Sequence, residues 1–90
     1  MPLGEAEKLF RQAVLANSNN YNANYNLGRL LAKQQKFVET LPLLQRASRI
    51  LPENAEVHYQ LFLTYSRLGR KADADQELEI FKRLHEEDRK

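Results

Sequence analysis

The feature that most constrains this chain is that it repeats itself. The stretch 20–52, NYNANYNLGRLLAKQQKFVETLPLLQRASRILP, lies over 54–86, NAEVHYQLFLTYSRLGRKADADQELEIFKRLHE, at a displacement of 34 residues. The overlay pairs Asn20 with Asn54, Tyr25 with Tyr59, Leu27 with Leu61, Lys33 with Arg67 and Leu44 with Leu78. A period of this length is that of a helical unit too small to bury its own apolar face, so successive copies must stack.

Inside each copy the apolar residues recur every three or four positions, the spacing that collects them on one stripe of a helix. A first helix is predicted over 5–17, with Ala6, Leu9, Phe10, Ala13 and Val14 on its stripe. The run Asn17-Ser18-Asn19-Asn20 ends it, because short polar side chains compete for backbone hydrogen bonds and suit turns and caps. A second helix, 21–34, starts at the Asn20 cap and turns Ala23, Leu27, Leu30 and Leu31 inward. Only Gln34, Gln35 and Lys36 precede Phe37, so this helix and the next fold back as an antiparallel hairpin. The third has Val38, Leu41, Leu43, Leu44, Ala47 and Ile50 on its apolar side, with Pro42 near its start and Leu51-Pro52 as its stop.

Asn54 caps a fourth helix that runs to about Leu68, with Val57, Leu61, Phe62 and Tyr65 as its apolar set. Gly69 stands where a positive φ closes a helix. The fifth helix, about 72–87, presents Ala74, Leu78, Phe81 and Leu84, and offers Glu79 to Arg83 as an i, i+4 ion pair. The charged tail 86–90 is expected to fray.

Chemistry is scarce in this pattern. There is no cysteine, hence no disulfide, thiolate nucleophile or thiolate metal site. His58 and His85 are the two imidazoles, each without the second ligand at helical spacing that a metal needs, so no metal and no cofactor is expected. Ser18, Ser48 and Ser66 have no glycine-framed elbow, and Gly4, Gly28 and Gly69 are isolated, which leaves no phosphate loop. Asp73 and Asp75 read as complements of a helix dipole. An enzyme is disfavoured. A net charge of +2 gives little bulk attraction to nucleic acid or to anionic membrane. No signal-like or membrane-length apolar run is present, so the expectation is a soluble, cytoplasmic domain.

The residues resemble the tetratricopeptide repeat family. Its small residue after an apolar one, apolar or aromatic residue a few positions on, Ala in the second helix and Pro at the junction match Leu27-Gly28, Leu31, Ala47 and Pro52. The next copy matches through Leu61, Tyr65, Gly69, Ala74 and Leu78, and Glu5, Phe10 and Ala13 lie in phase with Glu39, Leu44 and Ala47. The resemblance implies an all-α, right-handed helical-repeat solenoid of about two and a half units, five antiparallel helices in the order B-A-B-A-B. One domain, 1–90, would then comprise the second helix of a partial repeat (4–19), a complete repeat (20–53) and a second complete repeat with a terminal helix (54–87).

Phe62 and Phe81 depart from the family, which places small residues there; they mark either a terminal unit or local core variation. So few units are marginally stable, and the first helix is without a hairpin partner, leaving part of its Leu9, Phe10 and Ala13 stripe uncovered. That leads to two expectations: a piece of a longer array, or a homo-oligomer through its end helices.

The family's first helices line a concave groove. Resemblance places there Asn22, Tyr25, Asn26, Arg29 and Lys33 on one helix, and Tyr59, Gln60, Leu63 and Arg67, with Glu56, on the other. The tyrosines offer flat area, the amides suit a peptide backbone, and the cations suit carboxylates. The implied partner is a protein or peptide, neutral to acidic. Asn26 sits where one asparagine of the family's carboxylate clamp would be, but Glu56 and Gln60 replace the basic residues of the next helix, so that clamp is expected to be absent.

Overall fold

The computed structural model describes residues 3–87 as five helices in chain order: α1 (Leu3–Ala16), α2 (Tyr21–Lys33), α3 (Phe37–Ile50), α4 (Ala55–Arg67) and α5 (Lys71–Glu87). No strand occurs among the described residues. The architecture is the all-α helical repeat implied by the 34-residue period, with helix ends within two residues of those predicted. Residues 86 and 87 belong to α5, and the rest of the charged tail lies outside the described residues.

Both predicted caps form. Asn20 Oδ1 accepts from the Ala23 N–H at 3.1 Å, and Asn54 Oδ1 accepts from the Glu56 N–H at 3.0 Å. Each satisfies a donor that a helix start leaves without an internal partner. The two hairpin turns are also copies of one another. Gly69 has φ 75° and Gln35, its counterpart 34 residues earlier, has φ 62°. In each, the following N–H reaches back five residues at 2.9 Å, Arg70 to the Tyr65 carbonyl and Lys36 to the Leu31 carbonyl. Glycine adopts this left-handed conformation freely, whereas glutamine has a Cβ to accommodate.

The core runs through the stack. Tyr25, Leu44, Ala47, Val57, Leu61, Tyr65 and Ala74 form one buried cluster drawn from α2, α3, α4 and α5, against which Tyr21, Leu41 and Phe62 pack. Burial of each leucine stabilises by roughly 1.5–3 kcal/mol, so the shared seam, more than helix propensity, holds the array. Close approach of α2 and α3 depends on Gly28: a Cβ there would stand 2.9 Å from Leu44 Cδ2 and 3.0 Å from its Cγ. Its counterpart Phe62 is a partly buried ring, and Leu78, the counterpart of Leu44, is only half-buried. Among the described residues the backbone of α1 packs on α2, with the Arg11–Glu39 ion pair at 3.4 Å reaching α3, and α5 packs on α4, while α2, α3 and α4 each have more than one neighbour.

A second periodicity is written in polar groups. Asn24 is fully buried and its Nδ2 donates to the Ser18 carbonyl at 2.9 Å and the Asn20 carbonyl at 2.8 Å, while Arg46 donates to its Oδ1 at 3.2 Å. The residue 34 positions on is His58, also buried, whose Nε2 lies 2.7 Å from the Pro52 carbonyl, the counterpart of Ser18. Its Nδ1 lies 2.6 Å from Glu77 Oε2 on α5. Both imidazole nitrogens therefore face acceptors, and keeping both contacts requires one proton more than a neutral ring and a free carboxylate possess. The bond to Glu77 is the main cause that raises the His58 pKa above its usual value; burial opposes it, the Pro52 carbonyl and the Glu77 charge add to it, and Arg83 subtracts. His58 is thus a packing residue that ties α4 to α5 and to the turn before it.

Three expectations are corrected. Val38, assigned to the apolar side of α3, is 77% exposed; no further helix lies over the first turn of α3. Leu9, 52% exposed, belongs to the part of the α1 stripe expected to be uncovered. Glu79 pairs with Lys82 at 3.9 Å instead of Arg83. Pro42 sits on the sixth residue of α3, within the helix; it deprives the Val38 carbonyl of its helical donor, and the exposure of Val38 leaves that carbonyl beside solvent.

Candidate functional site

The exposed faces of α2 and α4 stand side by side, because the 34-residue period returns the chain to the same helix face one unit later. Lys33, Arg29, Gln60, Leu63 and Arg67 line one open cavity of about 430 Å³, together with Ala32, Phe37, Thr64 and Ser66. Five of the nine predicted residues thus meet at one place. Three are cations, and among the described residues no carboxylate lines the cavity. Among the described residues none of the three cations forms an ion pair.

Two of those cations are held by aromatic rings. The Arg67 guanidinium carbon lies 5.4 Å from the Phe37 ring centroid, and that of Arg29 lies 5.6 Å from the Tyr25 ring. Stacking of this kind restrains a flexible side chain while leaving its N–H groups free for an acceptor. The Thr64 and Ser66 hydroxyls are already used, donating to the Gln60 and Phe62 carbonyls at 2.8 Å each. Polar recognition in this cavity accordingly falls to the three cations and the Gln60 amide.

The other predicted residues are distributed to either side. Asn26 borders a smaller cavity of about 160 Å³ with Phe10, Leu30, Arg29 and Lys33, between α1 and α2. Tyr25, Glu56, Tyr59, Gln60 and Phe81 line a third of about 150 Å³, between α2, α4 and α5. Arg29 and Lys33 are common to the first and second of these spaces and Gln60 to the first and third, so the three form a continuous string across the array. Asn22 is exposed on the first turn of α2 and borders none of them.

Tyr25 is a correction. It was expected to offer a flat exposed face like Tyr59, but it is 8% exposed against 40% for Tyr59. Its ring is stacked on Tyr21 at 5.5 Å between centroids, with an interplanar angle of 11°. Its hydroxyl donates to Glu56 Oε2 at 3.4 Å. Burial pushes its phenol pKa up, Arg29 lowers it and Glu56 raises it. Tyr21 beneath it is pushed up to about 12, chiefly by burial, and its hydroxyl is buried without a hydrogen-bond partner in the structure.

Phe37, Phe10 and Phe81 were missed as lining residues. Phe37 and Phe10 fit the core stripe equally well by spacing, and the position of Phe81 was legible only as a departure from a small residue. Among the described residues there is no cluster of three or more His, Asp or Glu arranged to hold a metal, and no helix is long and apolar enough to cross a membrane.

Comparison with known proteins places the architecture. A family model described as tetratricopeptide repeat matches residues 31–89. The protein O-mannosyl-transferase Tmtc3 of Drosophila melanogaster is 34% identical over 68 residues, 76% of this chain and 7% of its own length. A solved structure of MamA AMB-1 superposes with TM-score 0.88 at 25% identity, covering 93% of this chain and 46% of its own. MamA MSR-1 superposes with TM-score 0.86 at 23% identity, over 96% and 49%. The chain thus spans about half the length of these solved structures and a small fraction of the curated relative.

Proposed function

This chain belongs to the tetratricopeptide repeat family, and on that premise we propose that it is a non-catalytic protein-interaction module whose α2–α4 face takes an extended peptide segment. The observation that supports this most is the cavity of Arg29, Lys33, Gln60, Leu63 and Arg67, where, among the described residues, three cations without ion pairs stand beside Ala32, Phe37 and Leu63 and no carboxylate lines the space. Such a lining favours a peptide that sets an acidic side chain beside an apolar one. The match to the mannosyltransferase extends over 7% of that protein, and the proposal ascribes to this chain binding alone.

A selection from a random peptide library tests it. Enriched sequences should contain Asp or Glu, their affinity should fall with added salt, and Arg67→Ala or Arg29→Ala should weaken them about three- to tenfold. Absence of any enriched peptide, or affinity indifferent to both salt and these substitutions, would overturn the reading.

A second reading, assembly through the end of the array, is favoured by one observation. Leu9 and Leu15 of α1 are 52% and 86% exposed on a helix packed chiefly on α2.

A further inference from the structure

At the end of the string of cavities bordered by α5 the chemistry is reversed. Tyr59 and Phe81 stand 5.2 Å apart between centroids at an interplanar angle of 45°, forming two inclined walls. Glu56 closes the space, with Gln60 and Tyr25 completing it. Among the described residues no cation lines this cavity and Glu56 makes no ion pair; its one side-chain hydrogen bond there is from the Tyr25 hydroxyl at 3.4 Å. Inclined aromatic faces present the negative side of their quadrupoles, and a carboxylate beside them adds a full charge of the same sign. The about 150 Å³ available suits one side-chain head group.

We propose that this cavity is a subsite for a basic side chain of the bound peptide, with arginine the best fit. A guanidinium is planar, stacks on the exposed Tyr59 ring, since Phe81 is itself stacked on His85, and can give two N–H bonds to Glu56, where an ammonium would supply only a point charge. The proposal rests on the reading of this face as a peptide groove and adds to it a sequence requirement. Glu56 and Arg67 are eleven residues apart on one helix; at about 1.5 Å per residue they are separated by about 16 Å. An extended peptide advances about 3.3 Å per residue, so the basic side chain and the acidic one are set about five residues apart. A segment of that kind is neutral overall, although each charge is recognised.

The probe is N-acetyl-arginine methylamide, titrated into the isotopically labelled chain and followed by NMR, with N-acetyl-glutamate methylamide in parallel. The arginine compound should shift resonances of Glu56, Tyr59 and Phe81, and Glu56→Gln should weaken it about fivefold while Arg67→Gln leaves it unchanged. The glutamate compound should shift Arg29, Lys33 and Arg67 and show the opposite dependence. Arginine shifts confined elsewhere, or unaltered by Glu56→Gln with the fold intact by amide spectra, overturn the subsite. Failure of the groove reading is separately visible: a peptide library that yields no binder, with the arginine response intact, removes the groove and supports the subsite.

Discussion

At the scale of single residues, the two hairpin turns form a controlled comparison, since Gln35 and Gly69 hold the same left-handed conformation in copies of one motif. A side chain in that region is disfavoured by about 1–2 kcal/mol, offset in part by the greater freedom of glycine in the unfolded chain. Gln35→Gly should therefore stabilise by about 0.5–1 kcal/mol, and Gly69→Ala should destabilise by about 1 kcal/mol, both read from urea unfolding midpoints at constant slope. Gly69 was legible as a helix stop because glycine announces such a position. Gln35 was not, because the tertiary hairpin imposes its conformation on a residue whose own preference points elsewhere. Tyr25 hid for a related reason: spacing puts it on the face of Tyr59, and only the neighbouring Tyr21 ring and α4 decide that it is covered.

At the scale of elements, the buried polar groups distinguish the two hairpins. Apolar spacing and the asparagine caps made the helices and their pairing readable, since both are local signals. The carbonyl anchors were not, because Asn24 and His58 solve the same problem with different side chains and an alignment by residue type passes over them. An amide does not titrate in the accessible range, whereas the imidazole does. The His58 pKa is raised in the fold, so its contribution is fully present below the ordinary histidine value near 6.5 and is lost as pH rises through the folded value. Deprotonation leaves one of its two contacts, to Glu77 or to Pro52, without a donor, a loss of about 1–3 kcal/mol. Unfolding measured from pH 6 to pH 9 should show α4–α5 weakening across that rise, with Glu77→Gln flattening the dependence. Titration of His58 at or below the ordinary histidine value, followed by NMR, would contradict the assignment.

At the scale of the whole molecule, the repeat period dictates that ends and middle differ. The assembly reading predicts a mass that grows with concentration in sedimentation and that Leu9→Glu or Leu15→Glu returns to the monomer. Both positions are exposed, so these changes should leave helicity and the groove intact. A single monomer mass throughout would remove that reading. Packing is dense within each hairpin, α2 with α3 and α4 with α5, thinner between α3 and α4, and thinnest between α2 and α4. The two hairpins therefore meet along their thinnest packing, and a rotation about that seam is the motion that disturbs least of the structure; under the proposed reading it sets the width of groove offered to a peptide.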